Sequence, residues 1–211
     1  MLVYHNDGDG LFTEISHRLG LDKPAKALGI TVADYDRDGR IDLYIANDST
    51  LEFLFHQMPD GKFEDAGLEP GVAANGEGQT YAGMGVDFAD YDNDGWPDIA
   101  VTDLANQRCA VYHNSGDGTF DYASNVNGIG AITLLRSGWS LRFIDYDNDG
   151  WKDLLTAPGP RSGQHRKDLS LTSLPRAHDA GAQYRSQIHR SFPDLRRSLQ
   201  GSLGGPRHGN R

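Results

Sequence analysis

The sequence predicts an all-β fold: a partial β-propeller of about three blades with acidic, metal-ligating loops, followed by a disordered basic tail. Three observations predict it. An acidic nine-residue string recurs as "DYDRDGRID" at Asp34–Asp42, "DYDNDGWPD" at Asp90–Asp98 and "DYDNDGWKD" at Asp145–Asp153, its starts 56 and 55 residues apart. A second string alternates with it: "VYHNDGDGLF" at Val3–Phe12, "LFHQMPDGKF" at Leu54–Phe63 and "VYHNSGDGTF" at Val111–Phe120. The charge then reverses, since residues 1–157 hold 27 Asp+Glu against 10 Lys+Arg and residues 158–211 hold 3 against 10.

Each strand of the unit has its own local reason. Short apolar stretches precede the acidic strings ("GITVA", "GMGVDFA", "WSLRFI"), and alternating or compact apolar runs follow them ("IDLYIA", "PDIAVT", "KDLLTA"). In the second string an Asp-Gly pair lies between apolar flanks, where glycine supplies the positive φ of a hairpin turn. The unit therefore reads strand, acidic loop, strand, strand, Asp-Gly turn, strand, which is one propeller blade. A glycine count of 26 favours such turns over long helices. Asn114 lies 24 residues after Asp90 and Gln57 lies 23 after Asp34, so the loop belonging to Asn6 would precede Met1. The expectation is that the chain begins inside a blade.

The acidic string has the chemistry of a cation site. In D-x-D-x-D-G-x-x-D the carboxylates fall at positions 1, 3, 5 and 9, and several within one short loop repel one another without a cation. Calcium takes six to eight oxygens in flexible geometry, whereas magnesium keeps its waters and rarely uses an all-protein cage. Alternate side chains can converge, glycine at position 6 allows the bend, the position 7 carbonyl adds an oxygen, and position 9 can bind through both of its own. The expected ligands of the first loop are Asp34, Asp36, Asp38, the Arg40 carbonyl and Asp42. Those of the second are Asp90, Asp92, Asp94, the Trp96 carbonyl and Asp98. The third set is Asp145, Asp147, Asp149, the Trp151 carbonyl and Asp153, so about three Ca2+ ions are expected. An EF-hand is rejected: position 12 is Ile45, Val101 or Thr156 instead of glutamate, and the flanks are strand-like.

These strings resemble the FG-GAP/VCBS repeats of integrin α-chain propellers and of many secreted bacterial proteins. "GITVADYDRDGRIDLYIAND", "AGMGVDFADYDNDGWPDIAVTD" and "FIDYDNDGWKDLLTA" are similar, more narrowly, to the cartilage acidic protein/ASPIC-UnbV group. The resemblance covers about residues 1–157. It implies calcium-stabilised blades, about seven to a ring, in an extracellular or cell-envelope protein acting in adhesion, with a protein or glycan ligand on the propeller surface. It implies no enzyme; the alternative is a propeller-scaffold lyase or hydrolase acting on polysaccharide, with its site on blades outside this chain.

Other chemistry is poorly represented. The sequence lacks G-x-S-x-G, H-E-x-x-H, a phosphate-binding G-x-x-x-x-G-K-[ST] and Cys/His zinc spacing. The acidic body disfavours nucleic acid, no apolar run is long enough for a membrane span, and Cys109, the only cysteine, excludes an intrachain disulfide. Met1 opens on "LVYHNDGDG", with neither the basic nor the apolar region of a signal peptide. His5, His56 and His113 share one repeat position, which reads as packing or a surface register. Trp96 and Trp151 read as blade packing before a sugar platform, and "NDS" at Asn47–Ser49 matches a glycosylation sequon. In the tail, residues 158–211, the periodicity stops. Codons permitted for Pro175–Ala182 and Arg196–Arg211 give strings more like blade sequence when read one base later, so a frameshift product is expected there.

Overall fold

The computed structural model describes residues 1–159 and 170–173. A hairpin of β1 (Tyr4–Asn6) and β2 (Phe12–Glu14) leads through one helical turn, α1 (Ser16–Leu19), to a first blade. That blade runs β3 (Ala27–Ala33), β4 (Asp42–Thr50), β5 (Phe53–Gln57) and β6 (Phe63–Asp65), with β7 (Tyr81–Ala82) bonded to the far end of β4. The second is β8 (Val86–Ala89), β9 (Asp98–Val101), β10 (Ala110–Asn114) and β11 (Phe120–Tyr122). A short α2 (Ile129–Thr133) precedes a third sheet of β12 (Gly138–Ile144), β13 (Asp153–Pro158) and β14 (Ser170–Ser173).

Each sheet is an antiparallel meander, so the fold is the all-β blade architecture that the repeats predict. The Asp-Gly pairs turn as expected, with φ of 88° at Gly10, 82° at Gly61 and 88° at Gly118. Of the basic segment, Ser170–Ser173 add a strand to β13, in register from Thr156↔Ser170 to Asp153↔Ser173. The rest of that segment beyond Gly159, and with it the frameshift reading, lies outside the described residues. No helix among the described residues is long and apolar enough to cross a membrane.

Blades stack by burying both faces of their middle strands. All four residues of β9 are buried, which explains a continuous apolar run where a half-exposed strand would alternate. Ile99 and Val101 pack towards the first blade with Tyr44, Ala46, Leu54 and Tyr112. Ala100 and Val111 pack towards the third sheet with Leu141, Phe143 and Leu154. Fully burying one such large side chain is worth roughly 1.5–3 kcal/mol, so these two interfaces dominate cohesion. One face stays open. Ile30 and Val32 are 62% and 55% exposed, whereas Val86 and Leu141, the repeat equivalents of Ile30, are 7% and 3% exposed because the preceding blade covers them.

Polar clasps set the register between blades. Buried Asn114 donates through Nδ2 to the Tyr35 carbonyl of the previous blade (2.9 Å) and to the Pro97 carbonyl of its own (3.1 Å). Between the inner strands, Asp87 accepts from Arg142 Nη1 (2.7 Å) and from the Phe143 amide (3.0 Å). Glu52 lies at the first interface, 1% exposed; its Oε2 accepts from the Asn47 amide and its Oε1 has no hydrogen-bond partner. Burial, with Asp103 adding a smaller repulsion, pushes the Glu52 carboxyl up to about 9. Asn47 is fully buried and donates through Nδ2 to the Leu51 carbonyl (2.8 Å), so the sequon is not presented for glycosylation.

Two outcomes are expected. In Asn114→Ala two buried carbonyls lose their donor, and urea unfolding should show a loss of about 1–3 kcal/mol at unchanged m-value. A folded-state carboxyl raised from 4.5 to about 9 means that the folded form holds the extra proton between those values. Stability linked to Glu52 is therefore complete below the unfolded value and falls as pH rises towards the folded one. Glu52→Gln should remove that slope, melting higher than the parent at neutral pH by a margin that grows with pH up to about 9. Thermal melts across pH check this.

Candidate metal centres

The three acidic strings connect the two inner strands of their sheets, β3 to β4, β8 to β9 and β12 to β13, and so occupy equivalent corners. Position 4 is left-handed in every copy, with φ of 60° at Arg37, 61° at Asn93 and 59° at Asn148. Glycine follows two residues later with φ of 87° at Gly39, 96° at Gly95 and 89° at Gly150, a conformation a side chain would strain. The first aspartate of each loop ties this double reversal together. Asp34 accepts the Asp38 and Gly39 amides (3.0 and 2.9 Å), Asp90 those of Asp94 and Gly95, and Asp145 those of Asp149 and Gly150.

The fifth-position aspartates hold the other side of the bend: Asp38, Asp94 and Asp149 accept the amides of Arg40, Trp96 and Trp151 (2.9, 2.8 and 2.9 Å). The ninth position is the buried floor. Asp42 is fully buried and accepts from the Tyr35 and Gln57 amides (3.2 and 2.8 Å); Asp98, equally buried, accepts from Tyr91 and Asn114 (3.0 and 2.9 Å). Asp153 accepts from Tyr146 (3.3 Å). These bonds orient the carboxylates before any ion arrives.

Ligand atoms of Asp34, Asp36 and Asp38 lie within 4.8 Å of one another, as do those of Asp90, Asp92 and Asp94, and those of Asp145, Asp147 and Asp153. Such crowding is costly in a partly dry corner. Burial first, then the nearby Asp92, pushes the Asp98 carboxyl up to about 7. Burial and Asp94 raise Asp92, and burial with Asp36 raises Asp42.

The histidines correct the packing reading. His56 Nδ1 lies 3.1 Å from Asp42 Oδ1 and 3.4 Å from Asp36 Oδ2, and His113 Nδ1 sits at 3.1 Å from Asp98 and 3.4 Å from Asp92. Each imidazole meets the ring of the position 2 tyrosine edge-on, Tyr35 at 6.1 Å and Tyr91 at 6.4 Å. The ring thus caps the acidic corner of its own blade. His5, on the first hairpin, is exposed and lies 3.8 Å from Asp7 instead. The signal was present in sequence: a basic ring at one repeat position, always one residue before the Asn or Gln.

The position 7 residues differ among the loops. The Arg40 guanidinium pairs with Asp38 and donates through Nε to the Gln57 carbonyl (2.6 Å). The Trp96 ring lies beneath Arg37 (4.6 Å to the ring centroid) and against Gly116, where a Cβ would come within 2.6 Å of the indole nitrogen. The Arg37 contact packs neighbouring blades together, and the Gly116 contact lies within the second blade.

The donor set fits a hard divalent cation. It is built from carboxylate oxygens on a short, glycine-hinged loop. Asp34, Asp36 and Asp38 would hold an ion in the first loop and Asp90, Asp92 and Asp94 in the second, while in the third Asp153 stands in place of Asp149 beside Asp145 and Asp147. Asp42 and Asp98 are drawn together instead with Asp36 and His56 and with Asp92 and His113. An ion there would neutralise the crowded carboxylates and fix each loop to its floor.

Comparison with known proteins matches this repeat. The FG-GAP-like repeat profile fits residues 1–45, 34–101 and 90–156. Human cartilage acidic protein 1 is 28% identical over 175 residues, covering 77% of this chain and 25% of that protein, and the mouse protein is 27% identical with the same coverage. Mouse phosphatidylinositol-glycan-specific phospholipase D is 27% identical over 190 residues, covering 75% of this chain and 22% of that protein. The chain thus spans about a quarter of the length of these relatives. A solved structure of an Agrocybe aegerita lectin, described for specific recognition of non-reducing terminal N-acetylglucosamine, superposes with a TM-score of 0.38 at 20% identity. It covers 82% of this chain and 46% of the lectin.

Asp92→Asn separates the two roles of a loop carboxylate. Removing one repelling charge should leave the melting temperature in chelator no lower than the parent's. The rise on adding calcium should shrink by about a third, one loop in three being weakened. Paired melts with and without calcium check both signs.

Proposed function

The chain belongs to the FG-GAP-like repeat family, and from that premise we propose that it is a non-enzymatic, calcium-pinned propeller segment of an exported adhesion or protein-interaction protein. The observation that carries the proposal is the threefold repetition of one loop backbone at equivalent corners, each drawing three aspartates together: positions 1, 3 and 5 in the first two loops and positions 1, 3 and 9 in the third. A solvated turn has no reason to repeat a left-handed fourth residue, a glycine bend and a buried ninth carboxylate. In this reading calcium offsets the repulsion within each loop and pins the strand entering a blade to the strand leaving it. The fixed blades then present protein or glycan ligands with a rigid outer surface. The likeness to cartilage acidic protein 1 supports the extracellular or cell-envelope setting, where calcium is plentiful enough for sites of modest affinity.

The match to a phospholipase D favours a second reading, in which the blades belong to an enzyme and position a catalytic unit lying elsewhere. The first reading accounts for more of this chain's own residues, because among the described residues each acidic cluster suited to an ion draws on loop aspartates.

The test is thermal melting of the full chain after exhaustive chelation and after return of calcium. The melting temperature should fall and then recover, with magnesium recovering less of it. An unchanged melt after complete chelation would sink the proposal.

A further inference from the structure

The acidic corners are joined to one another by a contact that repeats from blade to blade. Position 4 of the first loop, Arg37, donates through Nη2 to the carbonyl of Gly95, position 6 of the second loop, and lays its guanidinium over the ring of Trp96, position 7. Position 4 of the second loop, Asn93, donates through Nδ2 to the carbonyl of Gly150, position 6 of the third loop, at 3.0 Å. Two different side chains thus make the same link at the same register. Both side chains leave a left-handed backbone at position 4 and reach the next blade. That backbone is ordinary for asparagine and strained for arginine, so the link persists where the local conformation disfavours the residue.

Where each link begins and ends matters. Position 4 stands between the carboxylates of positions 3 and 5, so an ion that orders those two also orders the side chain between them. The link ends on the residue directly before, and in the first case also on, the one whose carbonyl is an expected ligand. Ordering one loop therefore lowers the cost of ordering the next, which is coupling through conformational entropy carried by a named contact.

Resting on the calcium reading above, we propose that Arg37 and Asn93 are positioning residues that couple neighbouring ion sites, so that the three loops fill with positive cooperativity along the blades. Neither side chain ligates the ion; each transmits the order of one loop to its neighbour.

Calorimetric titration of the full chain with calcium alone tests this. The parent should bind about three ions along a curve steeper than three independent sites allow. Asn93→Ala and Arg37→Ala should keep the number of ions, lower the steepness, and weaken binding at the uncoupled loop about fivefold. Arg37→Asn, which places the second blade's residue in the first, should restore the steepness, a rescue that general destabilisation does not produce. A parent curve described by independent sites, or alanine variants as steep as the parent, would overturn the coupling while leaving the calcium reading intact. No binding heat in the parent would overturn both.

Discussion

Everything in this architecture depends on how much negative charge a half-dry corner can tolerate. The first two loops draw the carboxylates of positions 1, 3 and 5 together beside a buried one at position 9, and loop amides hold positions 1, 5 and 9 in place. Burial first, and the nearby Asp92 after it, push the Asp98 carboxyl up to about 7. A side chain free in water would relax the repulsion by rotating. Here the same bonds that shape the loop restrain it.

The acidic corners also lie where they have most leverage. They join the inner strands of each sheet, and the apolar interfaces between blades begin immediately beside them, with Tyr35 and Tyr91 buried at position 2. Tyr35 packs at 5.9 Å from Phe120 of the next blade, and its carbonyl receives Asn114 from that blade as well. The loop therefore shapes the surface onto which its neighbour packs. Burial supplies most of the cohesion, but the loop decides whether the buried surfaces meet in register.

The repeat made most of this legible in the sequence. Strand order and Asp-Gly turns follow from residue type and spacing, as does the approach of Asp34, Asp36 and Asp38 and of Asp90, Asp92 and Asp94, because those signals are local; in the third loop Asp153 takes the place of Asp149. What stayed hidden depends on contacts between segments far apart in the chain. His56 and His113 read as packing because nothing local ties a residue on β5 or β10 to a loop before β4 or β9; pairing of those strands brings them over the carboxylates. Glu52 gave no sign of its burial, since a charged residue just after a strand ordinarily faces water. The short helices α1 and α2 carry too few residues for a periodic pattern to show.

The same distinction bears on why the position 4 residue is free to vary while its neighbours are not. Positions 1, 5 and 9 are constrained by loop amides, and position 6 by a backbone conformation that only glycine takes without strain. Position 4 has to reach a backbone carbonyl on the next loop, which any donor of suitable length can do. Arginine meets that need with a long, charged arm and an aromatic ring beneath it; asparagine meets it with a short arm and a compatible backbone. A blade-to-blade contact made to a carbonyl survives a change of side chain that a side-chain pair would not. The link and the loop carboxylates can therefore vary separately.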